Sequence, residues 1–523
     1  MKDLFIASLL GGAIGDALGY PVEFMKLKEI KEKFGHKGIT ELILDSKTGK
    51  ALISDDTQMT LFTADGIVWA CERDSNRTGL FTRDGIYPSY LRWYYTQTNE
   101  MPTSSDEGLL ESQCHEEKGS ILNYKELFSQ REPGVSCLTA FASGTMGTIM
   151  KPINDSKGCG GVMRIAPVGL FLHKDPKNAF KVGCEVAAIT HGNPTGYLSA
   201  GMLAAIIAEL INGKNIIEST KGALKILKRY PNHEETLNII ELAIELSNSE
   251  DKDEEAILEI GEGWVAEEAL AIALYCALKE KDLKKALIMS VNHDGDSDST
   301  GAICGNILGA YYGIKAFPKE WVNNLELEAL IINMGSKLFD MASKRNANKN
   351  TKNIPKISRQ LILLHIFIYS KVIEINEITN LINIGNKTIQ RDLQELQRAG
   401  LLRIKFSKKE NGYTHIDDNN RCPFAKAVFS EIKAQNIHLE KLIRLATIMT
   451  ELRDYQYNNQ ETCSSWYKNK FPKVSRKTMQ RDFIELNDIG YEIQYDRSEK
   501  CYNISFPEGL DAIECRIREL QSI

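Results

Sequence analysis

Apolar residues recur at helical spacing through the first two thirds of the chain. Runs such as LSAGMLAAIIAELI (198–211) and EEALAIALYCALK (267–279) place them three or four residues apart, and few runs alternate as strands do. The pattern predicts an all-α body over residues 1–342. The apolar stretch FIASLLGGAIGDALG near the start is interrupted by Asp16, so we interpret it as a buried helix and not a signal peptide. We find no run of about 18 apolar residues, so no transmembrane helix is expected.

A different pattern follows residue 342. Residues 343–356 (SKRNANKNTKNIPK) are polar and basic, which predicts a linker. Beyond them NKTIQRDLQEL and RKTMQRDFIEL recur at an offset of 90 residues, each followed by a short alternating run typical of a β-hairpin. The repeat predicts two copies of one small α+β module. The first copy would span residues 357–420, and residues 421–523 would hold a connecting segment and the second copy.

The charge is distributed unevenly along the 523 residues, which are too many for one hydrophobic core. Residues 1–340 carry 34 Lys+Arg and 48 Asp+Glu, a net charge of −14, whereas residues 341–523 carry 30 and 22, a net charge of +8. A basic C-terminal part favours a polyanionic partner. The eleven cysteines show no CxxC pair or regular spacing, which favours reduced thiols and a cytoplasmic location.

Two carboxylate clusters stand directly before apolar helical runs. One is VNHDGDSDST (291–300) and the other is SDDT (54–57). A calcium loop of the EF-hand kind is excluded for the first, because its sixth and twelfth positions, counted from Asp294, are Ser299 and Gly305 instead of Gly and Glu. A solvated acidic loop remains an alternative for DGDSD taken alone.

Glycines recur every four residues in two helical stretches. Since glycine costs about 1 kcal/mol relative to alanine inside a helix, such stripes predict two helices whose backbones pack closely. Both acidic clusters would then lie at helix N-termini, where the helix dipole favours ionised carboxylates. A divalent cation would offset their remaining repulsion, and oxygen-only ligands select Mg²⁺ or Mn²⁺. The stripes are Gly11, Gly15 and Gly19, and Gly301, Gly305, Gly309 and Gly313.

Five motifs together carry a family resemblance. The segments GDALGYPVE (15–23), SDDTQMT (54–60), GGVMRIAP (160–167), ITHGNPTGYLSAG (189–201) and HDGDSDSTGAICGNILGA (293–310) closely resemble the ADP-ribosylglycohydrolases over residues 1–340. The resemblance implies an all-α fold with two Mg²⁺ ions at the base of an ADP-ribose cleft. It also implies hydrolysis of the glycosidic bond between ADP-ribose and an acceptor, which is a protein side chain, a nucleic acid or a small conjugate.

The resemblance also implies roles for individual residues. Glu23 matches the glutamate beside the scissile bond, and serine replaces the threonine that the family usually has at positions 54 and 299. Asp16 receives no catalytic role, and Arg164 is structural or lies near phosphate. The implied catalytic residues are Glu23, Asp55, Asp56 and Asp296; the metal ligands are Ser54, Asp55, Asp56, Asp296, Asp298 and Ser299; the ADP-ribose contacts are Gly160, Gly161, Met163, His191, Gly192 and Tyr197.

The repeated C-terminal module resembles the winged helix-turn-helix modules of DeoR-like transcriptional regulators. In such modules the third helix enters the DNA major groove, which makes double-stranded DNA the expected partner. Alternatively Asp392 and Asp482 pair with the neighbouring arginines, and the modules bind another protein or form a homodimer. The expected DNA-binding residues are Lys387, Gln390 and Arg391 in the first copy and Arg476, Lys477, Gln480 and Arg481 in the second.

The two parts together predict an ADP-ribosyl hydrolase tethered to DNA, with no membrane partner. One alternative is a transcriptional regulator that senses ADP-ribose with weak or no catalysis. Another is a hydrolase whose winged helices serve dimerisation or partner binding. The acceptor stays open among arginine, serine, a nucleobase and O-acetyl-ADP-ribose.

Overall fold

The computed structural model divides the chain into two compact units, one within residues 1–346 and the other within residues 347–523. Helices predominate in both; the sequence predicts an all-α first unit and α+β modules in the second. The residues described are 1–73, 82–98, 121–347, 354–369, 372–374, 384–408, 412–416, 433–458, 463–487, 489, 491–496 and 501–505.

The N-terminal unit is built from helices joined by short turns, and its described part contains isolated β-bridges but no strand. The helices are α1 (Lys2–Gly19), α2 (Leu27–Phe34), α3 (Asp55–Arg73), α4 (Tyr87–Thr98), α5 (Val135–Ala142), α6 (Ala166–Phe171), α7 (Pro176–Ala188), α8 (Pro194–Ile211), α9 (Ile216–Leu227), α10 (Glu234–Ser247), α11 (Asp253–Ile260), α12 (Ala266–Lys279), α13 (Leu283–Val291), α14 (Ser297–Tyr312), α15 (Lys319–Asn324) and α16 (Glu328–Ala347).

Helices α1 and α14 pack against each other through their glycines, which confirms the predicted close backbone approach. A Cβ added to Gly11 would lie 2.3 Å from the carbonyl oxygen of Gly305, and one added to Gly305 would lie 1.9 Å from that of Gly11. Gly313 differs from the prediction, because α14 ends at Tyr312 and Gly313 follows it with φ +79°. It terminates the helix and does not extend the stripe.

Two helical segments, Lys2–Val22 and Pro194–Ile211, are long and apolar enough to cross a membrane by length and composition. The sequence analysis assigns the apolar runs in both segments to helices of the all-α body and expects no transmembrane helix. Their apolar windows are 83% and 89% buried inside the protein. Both segments therefore serve the core of the N-terminal unit, α1 against α14 and α8 against α7.

The C-terminal unit contains two successive sets of helices, each followed by an antiparallel hairpin. Strand β2 (Ile404–Ser407) pairs with β3 (Gly412–His415), and β4 (Glu492–Asp496) pairs with β5 (Cys501–Ser505). Strand β1 (Val372–Glu374) adds to the free side of β3. Residues 343–347, predicted as linker, continue α16, and α17 already begins at Lys356. The elements are α17 (Lys356–Tyr369), β1 (Val372–Glu374), α18 (Asn386–Arg398), β2 (Ile404–Ser407), β3 (Gly412–His415), α19 (Lys433–Asn458), α20 (Cys463–Lys470), α21 (Arg476–Asn487), β4 (Glu492–Asp496) and β5 (Cys501–Ser505).

Candidate active site

The two acidic clusters lie at helix N-termini, as the sequence predicts. Asp55 and Asp56 are the first residues of α3. Asp296 is the N-cap of α14 and accepts a hydrogen bond from the amide of Ser299, and Asp298 lies in the first turn. All four carboxylates are buried. Burial makes these negative charges costly. The backbone N–H groups that have no partner within the helix at each helix start offset part of that cost.

Glu23, which lies shortly after the end of α1, also belongs to the cluster. It follows the short 3-10 turn Tyr20–Val22 and is 7% exposed, so it is not a surface residue. One carboxylate oxygen from each of Glu23, Asp296 and Asp298 lies within 4.8 Å of the other two. The Oε2 atom of Glu23 has no hydrogen-bond partner. Burial raises the pKa of Glu23 to about 9, and the charges of Asp296 and Asp55 add to the effect.

The aspartates repel one another strongly. Burial raises the pKa of Asp56 well above its usual range, and the charge of Asp55 adds to the effect. Burial raises the pKa of Asp298 in the same way, and the charges of Asp56 and Asp296 add to the effect. Oδ2 of Asp56 is buried without a partner. A cluster of buried carboxylates with unpaired oxygens is the kind of site that a hard divalent cation stabilises.

The three aspartates of DGDSD have different surroundings. Asp294 points away from the cluster, is about one third exposed, and accepts a 2.6 Å hydrogen bond from the amide of Leu27 at the start of α2. Asp296 and Asp298 point inward. A solvated acidic loop is thus the wrong interpretation for these two, while Asp294 fixes α2 to the loop.

Asp16 supports the other cluster from α1. Its buried carboxylate accepts hydrogen bonds from the amides of Ser54 and Thr57 at 3.0 and 3.1 Å, and from the Thr57 hydroxyl. Ser54 in turn accepts a 3.2 Å bond from the amide of Asp56. The sequence analysis gives Asp16 no catalytic role, and in the structure its carboxylate fixes the SDDT turn. The sequence signal available for this role was the position of Asp16 in the GDALG motif, one helical turn before Tyr20.

The predicted glycine turn and His191 lie together. A Cβ on Gly160 would lie 3.1 Å from Cε1 of His191, and one on Gly161 would lie 3.5 Å from its Nδ1. Met163 follows on the same turn, and its sulfur is 3.9 Å from the Ser299 hydroxyl. Burial lowers the pKa of His191 to about 3, with the nearby Arg164 charge adding to this. His191 is therefore neutral at physiological pH.

Other predicted contacts are placed differently. The amide of Gly192 donates to Oδ1 of Asn154 at 3.0 Å, so that donor is already used. Tyr197 lies on α8 and is buried. Burial raises the pKa of its hydroxyl, and the charge of Cys184 adds to the effect. No contact among the described residues joins Tyr197 to the carboxylate cluster. Arg164 is fully buried, donates to the Thr190 hydroxyl at 2.7 Å and lies 4.3 Å above the Tyr90 ring, which makes it structural.

Three features of the site escaped the sequence analysis. The thiol of Cys159 donates to Oδ2 of Asp296 at 2.8 Å. The amide of Gly134 approaches Oδ2 of Asp55 at 3.4 Å, so the turn before α5 also contacts the cluster. Phe24 and Trp264 stack at 5.7 Å between ring centroids, and both are exposed. None has a motif of its own, because each contact joins segments far apart in sequence.

In the C-terminal unit all seven residues predicted to bind DNA are exposed. They occupy the first two turns of α18 and α21. The buried Asp392 pairs with Arg359 of α17, and Asp482 pairs with Arg444 of α19. The alternative in which these aspartates pair with their neighbours Arg391 and Arg481 is therefore wrong.

Comparison with known proteins identifies the N-terminal part. The model of the family described as ADP-ribosylglycohydrolase matches residues 1–348. The ADP-ribosylarginine hydrolase Tri1 of Pseudomonas putida is 23% identical over 64% of this chain and 77% of its own length. The ADP-ribosyl-[dinitrogen reductase] glycohydrolase of Rhodospirillum rubrum is 23% identical over 63% of this chain and 92% of its own.

A solved structure titled ADP-ribosylglycohydrolase-related protein complex is 21% identical, covers 65% of this chain and 98% of that one, and has a TM-score of 0.41. The family model covers well over half of the chain, and the named relatives are hydrolases. The prediction of a hydrolase is confirmed: the chain belongs to the ADP-ribosylglycohydrolase family.

Proposed function

We propose that the N-terminal unit is a metal-dependent hydrolase that releases ADP-ribose from a conjugate, and that the C-terminal unit binds double-stranded DNA. The observation that carries the first part is the convergence of Glu23, Asp296 and Asp298 within 4.8 Å in a buried setting. Three buried carboxylates with an unpaired oxygen are costly without a cation, and family membership supports ADP-ribose as the substrate.

Two Mg²⁺ ions, or Mn²⁺ in their place, fit the oxygen ligands of the two helix starts. Ser54, Asp55 and Asp56 would hold one ion, and Asp296, Asp298 and Ser299 the other. The unpaired Oδ2 of Asp56 supports this arrangement. So does the rise in the pKa of Asp56, caused first by burial and then by nearby charges that include Asp296 of the other set. When bound, the metal supplies Lewis acidity and lowers the pKa of a coordinated water.

Glu23 is suited to exchange a proton with the leaving group. Its buried carboxyl lies beside Asp296 and Asp298 and has one oxygen without a hydrogen-bond partner, so it is placed to hold and release a proton at the site. Glycosidic bonds break through a cation-like transition state, and protonating the departing atom lowers that barrier. With metal bound, the carboxylates of Asp55, Asp56 and Asp296 would also lie close to the positive charge that develops on the sugar.

His191 is suited to donate a hydrogen bond to the ADP-ribose diphosphate. Arg164 donates to the Thr190 hydroxyl, which leaves that hydroxyl to donate to Nδ1 of His191 at 2.8 Å. The neutral ring then carries its proton on Nε2. Nε2 faces the glycine turn, 3.4 Å from where a Cβ of Gly160 would lie. The absence of side chains at Gly160 and Gly161 leaves room for the phosphates to approach the backbone.

The test is release of free ADP-ribose, measured by mass spectrometry, from arginine-, serine- and DNA-linked substrates and from O-acetyl-ADP-ribose. ADP-ribosylarginine comes first because one relative is named for that linkage. Each reaction runs with Mg²⁺, with EDTA and with the Asp296→Ala protein. Asp294→Ala is the matched control, because Asp294 lies in the same loop but outside the cluster.

Release that needs Mg²⁺, survives Asp294→Ala and is lost in Asp296→Ala supports the proposal. Absence of release with ADP-ribose binding retained would replace it with the sensor alternative. Absence of both would contradict an ADP-ribose site altogether.

The proposal of DNA binding rests on the C-terminal unit. Each half has helices followed by an antiparallel hairpin, which is consistent with the winged helix-turn-helix that the sequence resembles. The unit also has an excess of basic residues and seven exposed polar side chains in the first two turns of α18 and α21. Arg and Gln at such positions suit guanine and adenine edges. Affinity for DNA that falls steeply with added salt supports phosphate contacts. No DNA binding at low salt, with a dimer in solution, would support the dimerisation alternative instead.

A further inference from the structure

The exposed surface of the third helix is nearly the same in the two halves of the C-terminal unit. Lys, Gln and Arg occur at positions 387, 390 and 391 of α18 and again at 477, 480 and 481 of α21. All six side chains are exposed. Between them the apolar positions are buried in both copies, so the duplicated sequence presents the same polar residues on the same helix face.

The contacts that hold each third helix are also duplicated. Arg359 and Arg444 each pair with the buried aspartate that follows the exposed arginine, with Nη2–Oδ1 distances of 3.1 and 3.0 Å. One turn further on, Lys356 pairs with Glu395. The equivalent pair is Lys441 and Glu485. The two third helices are therefore fixed against their own first helices by matching ion pairs.

The same agreement extends to the hairpins. Gln397 at the end of α18 donates to the backbone oxygen of Ile404 at 2.9 Å, and Asn487 at the end of α21 donates to that of Ile493 at 3.1 Å. Each hairpin is thus tied to the end of its helix by a side-chain hydrogen bond, with an acceptor one residue nearer to the helix in the second copy. The duplication preserves the pose of the exposed face in addition to its sequence.

The two halves are joined by a common core. Buried residues of both belong to one hydrophobic cluster, and their first helices, α17 and α19, pack together. His438 of α19 lies 2.8 Å from Oε1 of Gln360 on α17, which adds a polar contact between the halves. The separation of the two third helices is accordingly set within one folded unit.

From this arrangement we infer that the C-terminal unit recognises a single DNA site composed of two similar half-sites at one fixed spacing. The inference rests on the proposed DNA binding and adds the form of the partner. Dimeric helix-turn-helix proteins recognise paired half-sites because each subunit presents the same helix. Here one chain presents both copies. The half-sites differ at their edges, since position 386 is Asn where position 476 is Arg.

The test is selection of double-stranded DNA from a random library by the full-length protein, followed by affinity measurements at fixed salt. We expect a short motif to occur twice in the selected sequences at one separation. Inserting five base pairs, half a helical turn, between the copies should weaken binding at least about ten-fold, because only one half-site then fits. Mass photometry should show one chain on each selected DNA.

Two variants test the two half-sites separately. Arg391→Ala should remove base preference from one copy of the motif, and Arg481→Ala from the other. Arg398→Ala is the control, because it removes the same charge from an exposed arginine in the last turn of α18. It should lower affinity without changing the motif.

The outcomes separate the inference from the function it rests on. A motif that occurs once, two copies at variable spacing, or two chains per site would overturn the inference and leave DNA binding intact. Failure to bind any DNA at low salt would overturn both.

Discussion

Gly15 of α1 and Gly301 of α14 face each other with no room for a side chain on either. A Cβ on Gly15 would lie 1.9 Å from the carbonyl oxygen of Gly301, and one on Gly301 would lie 2.4 Å from that of Gly15. The two backbones therefore touch directly below the site. This contact brings the end of α1, with Asp16 and the turn to Glu23, against the start of α14.

Gly15→Ala should destabilise the N-terminal unit, because backbone and not a flexible side chain blocks the added methyl group. Overpacking of this kind costs about 1–3 kcal/mol or more. We expect a Tm several degrees lower by differential scanning fluorimetry. Gly134→Ala is the control, since its Cβ would meet nothing within 4 Å and its φ is −58°. Equal Tm values for the two variants would refute the close packing.

Stability without metal should fall as pH rises. The pKa of Glu23 is raised from 4.5 to about 9 in the folded protein, and the pKa of Asp298 is also raised, both chiefly by burial. The folded state therefore holds protons that the unfolded chain has released, so the free energy of unfolding decreases from about pH 4 toward pH 9. Mg²⁺ should reverse this trend, since it binds the ionised carboxylates. Urea unfolding in EDTA and in Mg²⁺ across this range is the measurement; parallel profiles would contradict the account.

Asp298→Asn should stabilise the metal-free protein while it removes activity. Burial first, and then the charges of Asp56 and Asp296, make ionised Asp298 unfavourable, so folding at neutral pH has to take up a proton. The amide removes that cost, so the Tm in EDTA at neutral pH should rise. Hydrolysis should fall more than about 100-fold, because even residues that only support a metal ligand cost 10–100-fold when changed. The pair of measurements is Tm in EDTA and rate in Mg²⁺. A variant that is less stable in EDTA and fully active would argue against a strained metal site.

Arg359→Ala should loosen the first half of the C-terminal unit. It leaves the carboxylate of Asp392, which is 1% exposed, without its charged partner. Breaking a buried pair in this way costs about 3–5 kcal/mol. Hydrogen exchange followed by mass spectrometry should show faster exchange in α17 and α18, and unchanged exchange in residues 1–346. Arg398→Ala, an exposed change at the end of α18 that leaves the pair of Arg359 and Asp392 intact, should leave the pattern unaltered.

The sequence predicts features that repeat or follow a period. The glycine stripes predict the contact of α1 with α14, and the offset of 90 residues predicts two similar halves after residue 347. Contacts between distant segments leave no such period. The bonds from Asp16 to the SDDT turn and from Cys159 to Asp296 join residues 38 and 137 positions apart. The separate role of Asp294 depends on where α2 begins, which the sequence does not indicate.

The central claim is that the buried carboxylates hold the divalent metal on which ADP-ribose release depends. The direct test is titration of the metal-free protein with Mn²⁺, with free ion measured by electron paramagnetic resonance and the hydrolysis rate measured on the same samples. We predict saturable binding of two ions, a rate that rises with occupancy, and loss of binding and rate together in Asp56→Ala and Asp298→Ala. A full rate in metal-free wild-type protein, or binding that both variants retain unchanged, would contradict the account.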